Sequence, residues 1–232
     1  FTSTVNILAI DTTTTACSAA LHTGRDLIAK CKIIERSHTK LILPMIDEVL
    51  SDGGLTLSQI TCIAFTAGPG SFTGIRIGFG IVQGLAFGAD IPVLPVSSLE
   101  TLAYTAIRKL QIKNNTYIVP MLDARMSEIY WAQFSYDSGI LIRANPDCVS
   151  APETLKNEIT NRSIMIGDGL NYNERISKEF TDAEHINLYP EAQDVFNIAQ
   201  PLIRENAVID IRNANPIYLR NQIMWEKRKK LR

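Results

Sequence analysis

One pattern occurs twice in this chain and limits its fold more than any other feature. The apolar run Ile7–Ile10 ends at Asp11, and a polar turn and a second strand-like run follow it. The run Val119–Leu122 ends in the same way at Asp123, 112 residues later, and also leads through a turn into a strand. In both copies a third strand-like run follows, and helical and strand-like segments then alternate. This order predicts an α/β fold of two duplicated subdomains, each a mixed sheet with helices.

The polar stretch Gln111–Asn115 is the predicted boundary between the subdomains. Residues 1–110 then form an N-terminal subdomain, and residues 111–232 form a C-terminal subdomain that ends in a basic tail. Apolar periodicity and capping residues predict the individual elements. The expected helices span 39–51, 74–88, 97–109, 152–160, 170–180 and 191–206. The expected strands span 7–10, 16–21, 27–34, 60–65, 92–96, 119–122, 129–134, 140–142, 163–166 and 185–188.

The charge and the residue content exclude several classes of protein. With 23 basic and 24 acidic residues, the net charge of −1 excludes a protein that binds nucleic acid with its whole surface. Uninterrupted apolar runs stay shorter than the roughly 18 residues of a membrane span, so no membrane contact is expected. The four cysteines form no Cys-x-x-Cys pair, which favours reduced thiols in a cytoplasmic protein. The three histidines lie far apart in sequence, so no metal site is predicted.

Seven of the 13 glycines lie between Gly68 and Gly88, at the junction of a strand and a long helix. The free backbone N–H groups of such a junction can hold a phosphate. The segment does not match a Walker A loop, because Ile75 and Arg76 stand where that loop has Lys and then Ser or Thr. Phosphate binding and a purely structural turn therefore both remain open.

The helix that follows is apolar almost all the way round, since only Arg76 and Gln83 define a narrow polar strip. A sheet can bury one side of such a helix, so the other side needs either a neighbouring helix of the same subdomain or a partner protein. The helix Thr39–Ser51 has a similarly wide apolar arc, which favours the partner. The residues predicted to contact the partner are His38, Leu41, Ile42, Met45, Val49, Gly74, Ile75, Gly78, Val82 and Gly84.

The acidic residues at the two turns raise the question of nucleotide binding. Two hairpins with an acid at each bend hold phosphates and magnesium in the actin, hexokinase and Hsp70 superfamily. The first of those hairpins usually contains glycine, whereas Thr12–Thr15 are bulkier and β-branched here. Asp11, Thr12, Asp123 and Arg125 are therefore candidate remnants of phosphate-binding hairpins. Arg125 can instead pair with Asp123 or with Glu128.

Six blocks of the sequence occur in an order that is typical of one family, from about residue 5 to residue 225. The most specific block is GPGSFTGIRIG at Gly68–Gly78. The others are Ile7–Thr12, Ser37–Thr39, Asp123–Arg125, Glu128–Tyr130 and Pro216–Arg220. With these blocks the chain resembles the TsaB family of bacterial tRNA threonylcarbamoyladenosine biosynthesis proteins.

The resemblance implies a duplicated actin-like fold of the hexokinase and Hsp70 type, and a role as a non-catalytic subunit. The implied partner is the paralogous enzyme TsaD, which transfers a threonylcarbamoyl group to N6 of adenosine 37 in tRNAs that read codons beginning with A. The ATPase TsaE joins the complex. The chain itself is expected to have no cofactor, although ATP or ADP can bind at the complex interface. Alone, it is expected to form a homodimer through the partner-binding helices.

The resemblance also allows a comparison at the metal site of TsaD. In TsaD, two histidines four residues apart on one helix face bind the metal. In this chain those two positions are Ser98 and Leu102. A leucine cannot bind a metal, and a lone serine is a poor ligand. The comparison therefore implies that the chain is not an enzyme.

The segment Arg220–Arg232 contains six basic residues and one acidic residue, so the rest of the chain carries a charge of −6. Such a tail can contact tRNA phosphates or an acidic patch of a partner, or it can stay solvated, in which case any tRNA contact is indirect. A nucleotide-dependent phosphotransferase or ATPase of the actin-like superfamily is the alternative function. Glycine in the Thr12–Thr15 turn would favour that alternative, and its absence there favours the non-catalytic subunit.

Overall fold

The computed structural model describes residues 5–34, 37–157, 163–176 and 186–220. Helices α1 to α4 span His38–Asp52, Phe72–Ala89, Ser98–Leu110 and Val195–Arg204. Strands β1 to β5 span Ile7–Asp11, Ala16–His22, Leu27–Ile33, Cys62–Gly68 and Val93–Ser97. Strands β6 to β11 span Thr116–Asp123, Ile129–Trp131, Phe134–Asp137, Ile140–Arg143, Cys148–Ser150 and Ser163–Ile166. The tail after Arg220, and parts of the elements expected at 152–160, 170–180 and 185–188, lie outside the described residues.

The first sheet has the strand order β3-β2-β1-β4-β5. Strands β1, β2 and β3 are consecutive and antiparallel, whereas β4 and β5 extend the sheet beyond β1 in the parallel sense. Parallel strands need crossover connections, and α1 and α2 provide them. Every residue of β1 and β4 is buried, so both faces of the centre of the sheet are covered.

The second sheet repeats the same arrangement. Ile118 faces Phe134 and Met121 faces Trp131 in a single antiparallel register, so β8 and β7 lie along the same side of β6. Strands β9 and β10 pair with β8 and β7, while β11 lies parallel to β6 on its other side. Ile186 bridges to β11 in the parallel sense, at the place that β5 takes in the first sheet. The predicted duplication into two α/β subdomains, each with a mixed sheet, is confirmed.

The two faces of the first sheet have separate cores. On one face, α1 and α2 cover the inward side chains of β1, β2 and β4, including Leu8, Ile10 and Phe65. On the other face, α4 covers the alternate side chains, including Ala9 and Ala64. This division follows from the period of two in a strand, because successive side chains point to opposite faces. Helix α3 packs on the second sheet.

The chain after residue 190 returns to the first sheet. Helix α4 packs on β1 and β4, and Ile209 forms an antiparallel bridge with Val93. The N–H of Ile217 donates to the carbonyl of Ala67 (2.8 Å), at the end of β4. Residues 192–217 therefore pack on the first sheet, although they follow the second sheet in the chain. The C-terminal segment supplies the apolar cover that the first sheet lacks on its second face.

A buried ion network holds this returning segment. Arg108 of α3 donates to Asp194 through Nε and Nη2 (both 2.8 Å) and to Glu191 through Nη2 (2.7 Å). The Thr105 hydroxyl also donates to Asp194 (2.8 Å), whose side chain is only 2% exposed. The network joins α3, which packs on the second sheet, to the start of α4, which packs on the first.

Three expected elements differ from the structure. The expected helix 170–180 is 3-10 helical over Asp168–Arg175, a stretch in which Gly169, Asn171 and Asn173 are residue types of low helix propensity. The expected helix 152–160 is also 3-10 helical over Pro152–Asn157. The expected strand 129–134 is interrupted after Trp131, because the N–H of Gln133 donates to the side chain of Asn145 (2.6 Å).

Helix α2 is long and apolar enough, by length and composition alone, to cross a membrane. It is the single helix of that kind in the described part of the chain. Its mean hydropathy passes this test although Arg76 and Gln83 interrupt the apolar run. A core helix of a globular protein passes the same test, and α2 packs on β4 through Ile75, Val82 and Ala86.

Candidate functional site

The first acidic turn is closed and fully buried. Asp11 has no exposed surface, and its Oδ1 accepts hydrogen bonds from the hydroxyls of Thr13 (2.7 Å) and Thr66. Its Oδ2 has no hydrogen-bond partner among the described residues. Burial raises the pKa of Asp11 to about 6, although the hydrogen bonds from Thr66 and Thr13 act in the opposite direction. A carboxyl group with one bonded and one unbonded oxygen in an apolar setting favours the protonated form.

The elevated pKa of Asp11 makes stability depend on pH. Between about pH 4 and pH 6 the folded protein retains a proton that the unfolded chain releases, so this group's contribution to stability falls as the pH rises. Asp11→Asn has no titrating group at this position. As the pH rises from about 4 to 6, we expect the unfolding free energy of the variant to increase by about 2 kcal/mol relative to that of wild type. Urea titrations at several pH values measure the difference. If the unfolding free energies of the two proteins change in parallel with pH, the raised pKa of Asp11 is contradicted.

The glycine-rich segment packs directly on the same turn. A β-carbon on Gly74 would lie well inside van der Waals contact of the Thr12 carbonyl oxygen, and one on Gly70 would collide in the same way with Thr13. The Thr12 hydroxyl donates to the Gly74 carbonyl (2.7 Å), and the Ser71 N–H donates to the Thr13 carbonyl (2.7 Å). These glycines therefore permit close contact between two parts of the same chain. The backbone that could hold a phosphate contacts the β1–β2 turn instead.

The second acidic turn is more open. Asp123 accepts from the backbone N–H (2.7 Å) and the guanidinium (3.0 Å) of Arg125 and from the hydroxyl of Tyr172 (3.0 Å). Of the two partners that the sequence offered to Arg125, the structure selects Asp123, while Glu128 pairs with Arg220. Residues 125–127 all have positive φ values, between 52° and 62°, so the turn is a tight left-handed bend. The Arg125 side chain is 83% exposed, which makes its ion pair a weak one.

The structure corrects the predicted contact residues on the partner-binding helices. Most of them are buried in the protein's own core, where a partner cannot touch them. These residues are His38, Ile42, Met45, Val49, Gly74, Ile75, Gly78 and Val82. Leu41 is half-buried against the same core, and only Gly84 is exposed. The first sheet uses the branched apolar side of each helix, so that side is not free.

His38 and Gly78 illustrate the internal roles of these residues. The His38 Nε2 lies 2.8 Å from the carbonyl oxygen of Thr14 and 3.3 Å from that of Ala16, so this nitrogen donates a proton to the β1–β2 turn. A β-carbon on Gly78 would collide with the hydroxyl of Thr12. Both residues therefore fix the first turn.

The outward side of α2 carries a set of residues that shares only Gly84 with the predicted contact residues. We define the glycine face as Gly80, Gln83, Gly84, Phe87 and Gly88. All five are exposed, and the Phe87 side chain is 75% exposed. A β-carbon on any of the three glycines would meet no atom of the described residues within 4 Å. An open groove lies beside the face, between Gln83, Gly84 and Phe87 on one side and Ile211 and Arg212 on the other. The recurrence of glycine every fourth residue was a visible signal for this face.

The positions that correspond to the metal ligands of TsaD are buried. Ser98 and Leu102 both lie in α3 with no exposed surface, and the Ser98 hydroxyl has no hydrogen-bond partner in the described structure. Among the described residues, no three His, Cys, Asp or Glu side chains lie together as metal ligands would.

Comparison with known proteins identifies the relatives of this chain. The family model of TsaD, tRNA N6-adenosine threonylcarbamoyltransferase, matches residues 31–178. The tRNA threonylcarbamoyladenosine biosynthesis protein TsaB of Escherichia coli is 38% identical over 96% of this chain and 98% of its own length. The TsaB protein of Haemophilus influenzae is 39% identical over 96% of this chain and 97% of its own length.

Solved structures show the same relationship. The structure of YeaZ from Pseudomonas aeruginosa superposes with a TM-score of 0.82 at 35% identity and covers 93% of this chain and 100% of that one. A second Pseudomonas aeruginosa structure, described as similar to peptidase YeaZ, has a TM-score of 0.85 at 34% identity with the same coverage. The expected resemblance is therefore confirmed over almost the whole chain.

Proposed function

Because the chain belongs to the TsaB family of tRNA threonylcarbamoyladenosine biosynthesis proteins, we propose that it is a non-catalytic subunit that supports the paralogous transferase TsaD. In this role it binds TsaD, which transfers the threonylcarbamoyl group to N6 of adenosine 37 in tRNAs that read codons beginning with A. The relatives' names supply the pathway, and the glycine face supplies the physical reason for a binding role.

The glycine face is the observation that carries the proposal. Its three glycines cost helix stability, roughly 1 kcal/mol each relative to alanine, and no neighbour in the described part of the chain requires them. The glycines on the opposite side of α2, Gly74 and Gly78, are each required by a close contact with Thr12. Exposed glycines at every fourth position let a second helix approach closely, and Phe87 offers an apolar anchor beside them. The face therefore fits a helix of a protein partner.

The first acidic turn supports a non-catalytic role over the alternative of a nucleotide-dependent phosphotransferase. A phosphotransferase needs an open, charged turn to hold phosphates and magnesium. Asp11 is buried, its pKa is raised to about 6 by that burial, and it sits behind the contact between Thr12 and Gly74. The buried Ser98 and Leu102 support the same view, because a catalytic metal site must be reached by substrate.

Further features of the complex belong to the same proposal. The ATPase TsaE joins the complex, and ATP or ADP binds at the interface with TsaD and not to this chain alone. In the absence of TsaD, two copies pair through the glycine face of α2, since a helix face with an exposed aromatic ring is readily covered by a second copy. The protein acts in the cytoplasm, and tRNA reaches it through the complex or through the basic tail.

Mass spectrometry of tRNA nucleosides tests the pathway. Depletion of the protein is expected to abolish threonylcarbamoyladenosine in tRNA, and re-expression of the wild-type chain is expected to restore it. A variant with Gly80→Leu and Gly84→Leu serves as the matched test of the binding role, because it should fold but fail to restore the nucleoside. Normal levels of the nucleoside after depletion would exclude the proposed function.

A further inference from the structure

The segment Pro216–Arg220 crosses from one subdomain to the other, and the proposed contact with TsaD does not explain it. Ile217 pairs with Ala67 at the end of β4, as described above. Three residues later, Arg220 forms an ion pair with Glu128 and lies 3.1 Å from the sulfur of Met126, both in the second acidic turn. The segment therefore holds Tyr218 in place between the N-terminal end of α2 and that turn.

Tyr218 completes a compact group of exposed side chains. We define the aromatic corner as Phe72, Arg76 and Tyr218. The Phe72 and Tyr218 ring centroids lie 5.5 Å apart, and the Arg76 guanidinium lies 3.7 Å from the Phe72 ring centroid. Arg76 Nε also donates to the Tyr218 hydroxyl (3.3 Å). Phe72 is 43% exposed and Tyr218 is 39% exposed, so each ring keeps accessible surface.

Arg76 supplies the corner with a positive charge. Arg76 has no carboxylate partner among the ion pairs of the described residues, so its charge remains available to an anion. Arg125, on the neighbouring turn, is also largely exposed. A phosphate that approaches the corner therefore meets the guanidinium of Arg76 and the exposed guanidinium of Arg125.

We propose that the aromatic corner binds unpaired bases of an RNA loop, with Arg76 and Arg125 in contact with the phosphates. Exposed aromatic rings beside arginines form a stacking surface for single-stranded RNA, because every base has a π-face. The choice of RNA rests on the proposed function, since the family acts on tRNA. Paired bases in a duplex do not expose their faces, so the corner selects a loop over a helix.

Titration of the full-length chain with a fluorescently labelled anticodon stem–loop RNA tests this proposal. Tyr218→Leu and Phe72→Leu keep apolar volume but remove the π-face, so each is expected to weaken RNA binding by about five- to a hundredfold. Arg76→Gln is expected to weaken binding and to lower the salt dependence by about one phosphate contact. The wild-type chain is expected to bind the stem–loop more tightly than an RNA duplex of the same length.

Phe87→Leu is the matched control, because Phe87 is an exposed aromatic about 22 Å further along the same helix. It should retain RNA affinity, and thermal melts should show that all four variants fold. Loss of RNA binding in the corner variants alone supports the proposal whether or not TsaD binds, which separates it from the proposed function. No RNA binding by the wild-type chain, equal affinity in the corner variants, or preference for the duplex would overturn it. Loss of TsaD affinity in the corner variants without loss of RNA affinity would also overturn it.

Discussion

Gly84→Leu is expected to raise the thermal stability of the isolated protein while it weakens the complex with TsaD. A glycine at an exposed helical position costs about 1 kcal/mol relative to alanine, and leucine is nearly as good a helix former as alanine. Nothing within 4 Å of the new β-carbon opposes the substitution. In a close helix–helix contact, however, the leucine separates the two backbones, at a cost of about 1–3 kcal/mol. The dissociation constant should rise by about five- to a hundredfold.

Calorimetric titration with TsaD and a thermal melt of the same variant measure the two effects. Gly74→Ala is the matched control on the buried side of α2, because its new methyl group would collide with the Thr12 carbonyl oxygen. That variant should have a lower melting temperature than wild type, because the strain lowers its free energy of unfolding by about 1–3 kcal/mol. Wild-type affinity of Gly84→Leu for TsaD would remove the glycine face from the interface. A lower melting temperature of Gly84→Leu would show that this side of α2 is packed.

Arg108→Met is expected to lower the free energy of unfolding by about 2–4 kcal/mol. The substitution keeps much of the apolar stem of the side chain but removes every hydrogen bond that Arg108 gives to Asp194 and Glu191. Asp194 is almost fully buried, so its charge then has only the Thr105 hydroxyl as a side-chain donor. The cost falls below the upper limit for a buried pair, because the Arg108 side chain is 38% exposed. Urea denaturation with fluorescence detection measures the change.

Two further variants separate the network from general charge effects. Arg212→Met breaks the ion pair with Asp210, in which the arginine side chain is 75% exposed, and should change stability little. The double variant Arg108→Met with Asp194→Leu removes both charges of the ion pair and should recover part of the loss. If Arg108→Met and Arg212→Met have equal effects, the network does not hold the returning segment.

The repeated strand–Asp–turn pattern predicted the duplicated fold because it depends on local rules. The period of two in the strands and the apolar spacing in the helices are readable in short windows, and β11 coincides with the expected strand 163–166. The return of α4 to the first sheet has no such local signal. Its key contact, Arg108 to Asp194, joins residues 86 positions apart. Single-sequence periodicity carries no information about pairs at that distance.

The candidate site shows a related limit. Periodicity located the apolar stripe on α1 and α2. An apolar stripe can pack either on the protein's own sheet or on a partner protein, and periodicity does not distinguish the two. Val82 and Ile42 look like contact residues in the sequence, yet the first sheet buries both completely. The free side was marked instead by the glycines that lack a structural need, Gly80, Gly84 and Gly88. Their freedom from internal contacts becomes visible only when the backbone positions are known.

The late arrival of α4 has a consequence for biosynthesis. All five strands of the first sheet have been synthesised when β5 ends at Ser97. The segment that covers the second face of this sheet begins only at Ala192. At a ribosomal rate of about 5–20 residues per second, the apolar side chains of that face stay uncovered for about 5–20 s before α4 is synthesised. During that interval the nascent first sheet has an exposed apolar surface of the kind that general chaperones bind. A truncated chain that stops after α3 lacks this cover and is thus a substrate for degradation. The N-terminal subdomain therefore folds stably only after the C-terminal segment with α4 has been synthesised.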